Sequence, residues 1–171
     1  SGRCISIDYV SGRSIRQVID IRINGDTGKY FEELLDKSGI RLESGKLKKM
    51  MTYLTMLYEK NKVINLTAIR DKEGMLEKHF IDTLFLTELI RDEEKTFIDV
   101  GTGAGFPGLV LGIFYPEKEF LLVDSVKKKI DFINEVVESL KLKNVKTSSE
   151  RAENLIKNKV PKQTYRKNMN R

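Results

Sequence analysis

Cysteine and histidine are almost missing from this sequence: Cys4 and His79 each stand alone among 171 residues, and tryptophan is missing altogether. A lone cysteine excludes an intrachain disulfide and fits a reducing compartment. One Cys and one His cannot build a Cys/His zinc site, so no metal is expected. No apolar run approaches the ~18 residues that a membrane-spanning helix needs, and the N-terminus shows no signal-peptide apolar region. These absences point to a soluble protein of the cytoplasm. The chain also carries no Ser-His-Asp or other nucleophile signature.

What is present is an ordinary globular composition, 40% hydrophobic, of a length that suits one domain with a small appendage. Charge is distributed unevenly. The whole chain carries 31 basic and 25 acidic residues, but residues 126–171 hold 13 Lys/Arg against 5 Asp/Glu. Such a surplus suits a polyanion, because lysines near phosphates release condensed counterions. Lysines that merely solubilise helices and tails give the same count.

Residues 1–29 form an atypical N-terminal segment, with partial alternation over 16–23 and turn signals at Asn24-Gly25 and Thr27-Gly28. From Tyr30 the apolar period becomes helical. Phe31, Leu34 and Leu35 form one stripe, and Ser44 reads as the N-cap of a helix bearing Leu47, Met50, Met51, Leu54, Leu57 and Tyr58. A loop over 61–70 precedes a third helix with Met75, Leu76, Phe80, Leu84 and Leu89. Residues 30–92 are therefore expected to form a helical cap. From Lys95 the pattern changes to short apolar strands, at 96–100, 120–123 and 144–147, alternating with helices that begin near Pro107, Val126 and Glu150. That alternation implies βαβ units and a parallel sheet over 93–165, an α/β Rossmann-like half domain.

The strongest local signal is Asp99-Val-Gly-Thr-Gly-Ala-Gly105, a strand running into glycines with a helix opening near Pro107. Gly101, Gly103 and Gly105 permit a tight turn and let a ligand approach the backbone, while the helix N-terminus offers unpaired N–H groups. Asp124 closes the next strand, 23 residues after Gly101, where a carboxylate can accept hydrogen bonds from ribose hydroxyls. Two ligands fit these letters. Gly103-Ala-Gly-Phe-Pro-Gly108 also satisfies the dinucleotide pattern G-x-G-x-x-G, which would make the chain a nicotinamide-dependent oxidoreductase. Asp99, two residues before the first glycine, instead suits a cationic amino-acid end and repels a pyrophosphate. The structural readings are a turn-capping carboxylate for Asp99 and a helix N-cap for Asp124.

The glycine block, together with Asn65-Leu-Thr-Ala-Ile-Arg70 and His79-Phe-Ile-Asp82 upstream, closely resembles the bacterial glucose-inhibited division protein B family over residues 30–165. Members of that family are 16S ribosomal RNA methyltransferases that act on N7 of a guanine. The resemblance implies a Rossmann-like class I methyltransferase fold and S-adenosylmethionine as cofactor. It implies that Gly101 and Phe106 line the cofactor pocket, that Asp124 holds the ribose and that Ala152 and Glu153 flank the adenine. Phe106 as helix–sheet packing and Glu153 as a solvated first-turn acid are the structural alternatives. Asn65, Arg70, His79 and Asp82 are expected at RNA or at the cofactor entrance, or in local capping, and His79 is not read as a base. Lys127, Lys128 and Lys129 are expected on RNA phosphates of 16S ribosomal RNA or the small ribosomal subunit.

Against the family pattern the chain departs after Tyr165: residues 166–171 read as an atypical tail where a fourth strand is expected. Losing that strand would leave 96–100 as an apolar sheet edge with unpaired backbone groups. The edge is expected to be covered by self-association with another chain or by 17–23. A second functional reading follows, a non-catalytic cofactor- or RNA-binding remnant of the family.

Overall fold

The computed structural model describes Gly2–Arg3, residues 27–151 and Asn154. Helix α1, Thr27–Ser38, buries Tyr30, Phe31, Leu34 and Leu35 and is terminated by Gly39 in the left-handed conformation. Helix α2, Ser44–Asn61, buries Met50, Tyr53, Leu54 and Leu57 on one stripe. Each such side chain removed from water contributes about 1.5–3 kcal/mol. Ser44 is the first helical residue rather than the N-cap; Glu43 holds that position and makes no side-chain capping bond. The third helical stretch starts at Asp71, whose carboxylate accepts from the Gly74 N–H at 2.6 Å. It runs through α3 (Lys72–Met75), a π-turn over Leu76–Ile81, α4 (Asp82–Phe85) and a 3₁₀ turn over Leu86–Leu89.

The sheet follows. Strands β2 (Thr96–Val100), β3 (Glu119–Val123) and β4 (Val145–Ser148) are parallel and adjacent in chain order, with Phe97 stacked on Phe120 at 5.0 Å. A two-residue strand, β1 (Gly2–Arg3), pairs in parallel with Thr96 and Phe97 on the far side of β2. The expected open edge is thus partly covered by the chain's own residues 2 and 3, while 17–23, expected there, lie outside the described residues. Helices α5 (Gly108–Phe114) and α6 (Lys127–Ser139) make the crossovers, with Pro107 at the N-cap position of α5 rather than inside its first turn. The expected helix from Glu150 is described only in part: Glu150 and Arg151 are not helical, and the Asn154 N–H donates to the Arg151 carbonyl at 2.9 Å.

One apolar cluster joins both parts, because α2 packs on α5 and α6 while α4 packs on α5. A buried lysine and a half-buried asparagine lock the end of the sheet opposite the glycine loop. Lys118, 2% exposed, donates to the carbonyls of Arg91, Asp92 and Glu94. The Asn144 amide nitrogen lies 3.0 Å from each of the carbonyls of Gly112, Tyr115 and Lys118, which share its two N–H groups. With that end fixed, the opposite ends of β2 and β3 present the loop.

Candidate functional site

Strand β2 ends at Val100 and the chain turns through Gly101 (φ 72°) and Gly103 (φ 61°), both left-handed. The Gly101 and Thr102 N–H groups donate to the Val123 carbonyl at 2.7 and 3.0 Å, pinning the loop across the end of β3. A Cβ on Gly101 or Gly103 would meet no atom within 4 Å, so both lie against open space. The next two glycines have a different cause. A Cβ on Gly105 would fall 2.5 Å from Leu109 Cδ1 and 2.7 Å from the Tyr53 hydroxyl, and one on Gly108 2.7 Å from Leu122. The block therefore divides into two glycines on a ligand-accessible face and two that admit close packing.

Two carboxylates flank the open face. Asp99 Oδ2 accepts from the Thr102 hydroxyl at 2.6 Å and from the Gly108 N–H at 3.0 Å. Asp124, 7% exposed, accepts from the Gly103 N–H on one oxygen and the Val126 N–H on the other, both at 2.9 Å. Neither carboxylate is a helix N-cap; each ties the loop to a neighbouring segment. A carboxylate oxygen has two lone pairs, so Asp124, with one bond on each oxygen, keeps accepting capacity for a ligand. The negative charge of Asp124 at this end of the sheet disfavours a pyrophosphate there.

The three sequence blocks converge beside this loop. Asn61, 3% exposed at the end of α2, accepts from the Leu66 and Thr67 N–H groups and donates to the Ile69 carbonyl. The Thr67 Oγ1 so placed lies 2.8 Å from His79 Nε2. The His79 ring stacks on Phe106 at 4.6 Å, Tyr53 stacks on Phe106 at 5.3 Å, and Phe80 meets it edge-on at 5.3 Å. Tyr53 also donates its hydroxyl to the Ala104 carbonyl at 2.5 Å. Burial, with the Asp99 charge adding to it, pushes the Tyr53 phenol well up, so it remains a donor. Burial, helped by Lys78, pushes the His79 imidazole down, so it is neutral at neutral pH. Phe106 thus has its ring packed among Tyr53, His79 and Phe80. Tyr53 and Asn61 are the residues that sequence reading missed, since a polar group on an apolar helical stripe reads as core.

The remaining candidates are dispersed. Arg70 donates to the Asn65 side chain at 2.9 Å and to the Asn61 carbonyl, so the pair braces the exposed surface of the 61–70 loop. Asp82 is exposed on the third helical stretch, its carboxyl pushed up by partial burial and then by Glu77. Lys127 pairs with Asp131 at 2.9 Å, whereas Lys128 and Lys129 make no ion pair among the described residues. Ala152 and Glu153 lie outside the described residues. Among the described residues there is no cluster of three metal-ligating side chains and no helix long and apolar enough to cross a membrane.

Comparison with known proteins separates the two families that the glycine pattern allows. A family model described as rRNA small subunit methyltransferase G matches residues 46–167. The chain belongs to this family. It is 47% identical over 133 residues to the ribosomal RNA small subunit methyltransferase G of Fusobacterium nucleatum, covering 78% of this chain and 57% of that protein. The protein of the same name from Acetivibrio thermocellus is 44% identical over 115 residues, 67% of this chain and 48% of that protein. That from Clostridium perfringens strain 13 is 43% identical over 142 residues, 80% of this chain and 59% of that protein. The chain therefore spans roughly half of the length of these curated relatives. Membership in the methyltransferase G family removes the nicotinamide-dependent oxidoreductase reading: a strand, a glycine turn and a following acid are shared by both classes, and the upstream blocks are what separate them.

Proposed function

We propose that this chain is the cofactor-binding part of an S-adenosylmethionine-dependent methyltransferase acting on N7 of a guanine in 16S ribosomal RNA. The observation that carries the reading is the open face at Gly101 and Gly103, set between the carboxylates of Asp99 and Asp124. That arrangement of acceptors fits the ligand: a cationic amino-acid end beside Asp99, ribose hydroxyls at Asp124, and no Cβ obstructing the approach to Gly101. Gly105 and Phe106 shape the loop from behind, and Ala152 and Glu153 are assigned to the adenine side on family resemblance. We read residues 30–92 as a cap over the cofactor half domain at 93–165.

The cofactor, when bound, supplies a methyl group already activated by the sulfonium charge. The chain's own contribution is positional. Guanine N7 carries an available lone pair and no proton to lose, so no side chain need act as base. Holding the reactants in line supplies the rate through proximity and orientation. Asn65, Arg70 and Lys127, Lys128 and Lys129 are assigned to the RNA, whose target guanine must be unstacked or in an open loop. Acting on ribosomal RNA places the protein in the cytoplasm.

The test is calorimetric titration of the purified chain with S-adenosylmethionine, with NADH as control, followed by methyl transfer to undermodified small ribosomal subunits. Saturable binding of S-adenosylmethionine alone is expected. Binding without transfer would identify a cofactor- or RNA-binding remnant, and a folded chain that binds neither ligand would overturn the reading.

A further inference from the structure

The glycine turn packs against side chains from another element. His79 lies in the π-turn Leu76–Ile81, whose i→i+5 bonding puts more residues into each turn. In an ordinary helix consecutive side chains diverge by ~100°; a wider turn brings them closer around the axis. His79 and Phe80, adjacent in sequence, accordingly reach the same Phe106 ring, one stacked and one edge-on. Phe106 in turn belongs to the loop's own hydrogen bonding: its N–H and that of Gly105 both donate to the Thr102 carbonyl, at 3.1 and 3.0 Å. A phenylalanine at 79 would stack as well. Only a polar ring also reaches Thr67, which Asn61 fixes through the Thr67 N–H at 3.0 Å.

We propose that His79 is a positioning residue for the glycine loop: stacked on Phe106 and tied to Thr67, it sets the shape of the 101–105 turn. The 61–70 loop, the π-turn and the glycine loop then form one mechanical unit, in which His79 acts through Phe106 and not on a ligand. The inference builds on the cofactor reading above, but its first test does not require it.

Amide hydrogen exchange of the full chain without ligand reads the loop directly. In His79→Ala, exchange at Gly103, Gly105 and Phe106 is expected to rise about tenfold, the scale of one lost aromatic pair and one lost hydrogen bond, with β3 amides unchanged. His79→Phe is expected to restore most of the protection. Thr67→Val, near-isosteric and suited to folding if His79→Ala is not, also removes the acceptor of the Ile69 N–H, so it is expected to raise loop exchange at least as much as His79→Phe, and the two together to be no worse than Thr67→Val alone. Unchanged loop exchange in the variants, or a rise shared equally by β3, would overturn the proposal. Affinities for S-adenosylmethionine are expected to follow the same order. If the unaltered chain binds none, the cofactor reading fails while the exchange series still decides the role of His79.

Discussion

At the scale of single residues, the glycine loop contains two physically different kinds of glycine, and substitution separates them. Gly101→Ala introduces a Cβ into open space at a left-handed φ, at a cost of about 1–2 kcal/mol. The protein is expected to remain folded by circular dichroism and to lose at least about tenfold in affinity for S-adenosylmethionine in calorimetry. Gly105→Ala drives a Cβ into Leu109 and the Tyr53 hydroxyl at a positive φ, and urea denaturation is expected to show a loss of about 3 kcal/mol. Equal stability losses in the two variants would remove the distinction. The single histidine gives a second residue-level prediction. Its folded pKa lies below the ordinary 6.5, so the unfolded chain takes up the proton first as pH falls. Its contribution to stability is full above about pH 6.5 and is lost as pH falls through the lowered value. Stability is therefore expected to decline as pH falls below about 6.5, and less steeply in His79→Phe. Denaturation midpoints across that range check the difference in slope, and parallel slopes would contradict it.

At the scale of elements, the 61–70 loop owes its shape to one buried amide. Asn61→Ala removes two acceptor contacts and one donor contact from a site that is 3% exposed, leaving backbone groups without partners. It is expected to cost about 2–3 kcal/mol in urea denaturation, against about 0.5 kcal/mol or less for exposed Asn65→Ala. Similar losses in the two would show that the loop does not hang on Asn61. This element also shows what the sequence makes legible. The strands β2, β3 and β4 and the glycine turn were readable because short apolar runs, punctuated by glycines and acids, carry their signal locally. Tyr53 was not, since its partner, Ala104, comes from the tertiary path of the chain, and Asn61 was not, since an asparagine opening a loop carries no sign of which backbone groups of that loop it will hold. The π-turn escaped because an apolar stripe over Met75 to Leu84 suits several helical pitches. Ser44 was misplaced by one position because N-cap preference cannot separate a cap from a first-turn residue when Glu43 stands before it. The cover over the β2 edge came from Gly2–Arg3, two residues too few to carry any periodicity.

At the scale of the whole molecule, the uneven charge makes a prediction about how RNA would be held on the proposed reading. Residues 126–171 carry the basic surplus, and within its described part the lysines are not equivalent. Lys127 is neutralised by Asp131 one helical turn away, and Lys60 on α2 by Glu135 on α6, so both bring ion pairs to a surface that would meet RNA. Lys128 and Lys129 carry no such compensation among the described residues. A phosphate contact made by an uncompensated lysine releases its full share of counterions, whereas a paired lysine must first give up its carboxylate. On the proposed reading, affinity for a 16S ribosomal RNA fragment falls linearly on a log–log plot against salt, and Lys128→Ala with Lys129→Ala lowers the slope by up to about two. Lys127→Ala is expected to change it by much less. The asymmetry is the informative part. Should all three lysines change the slope equally, the Lys127–Asp131 pair opens at the RNA surface; should none change it, the basic run is a solvated helix face and the RNA lies elsewhere, with Arg70 the next residue to replace.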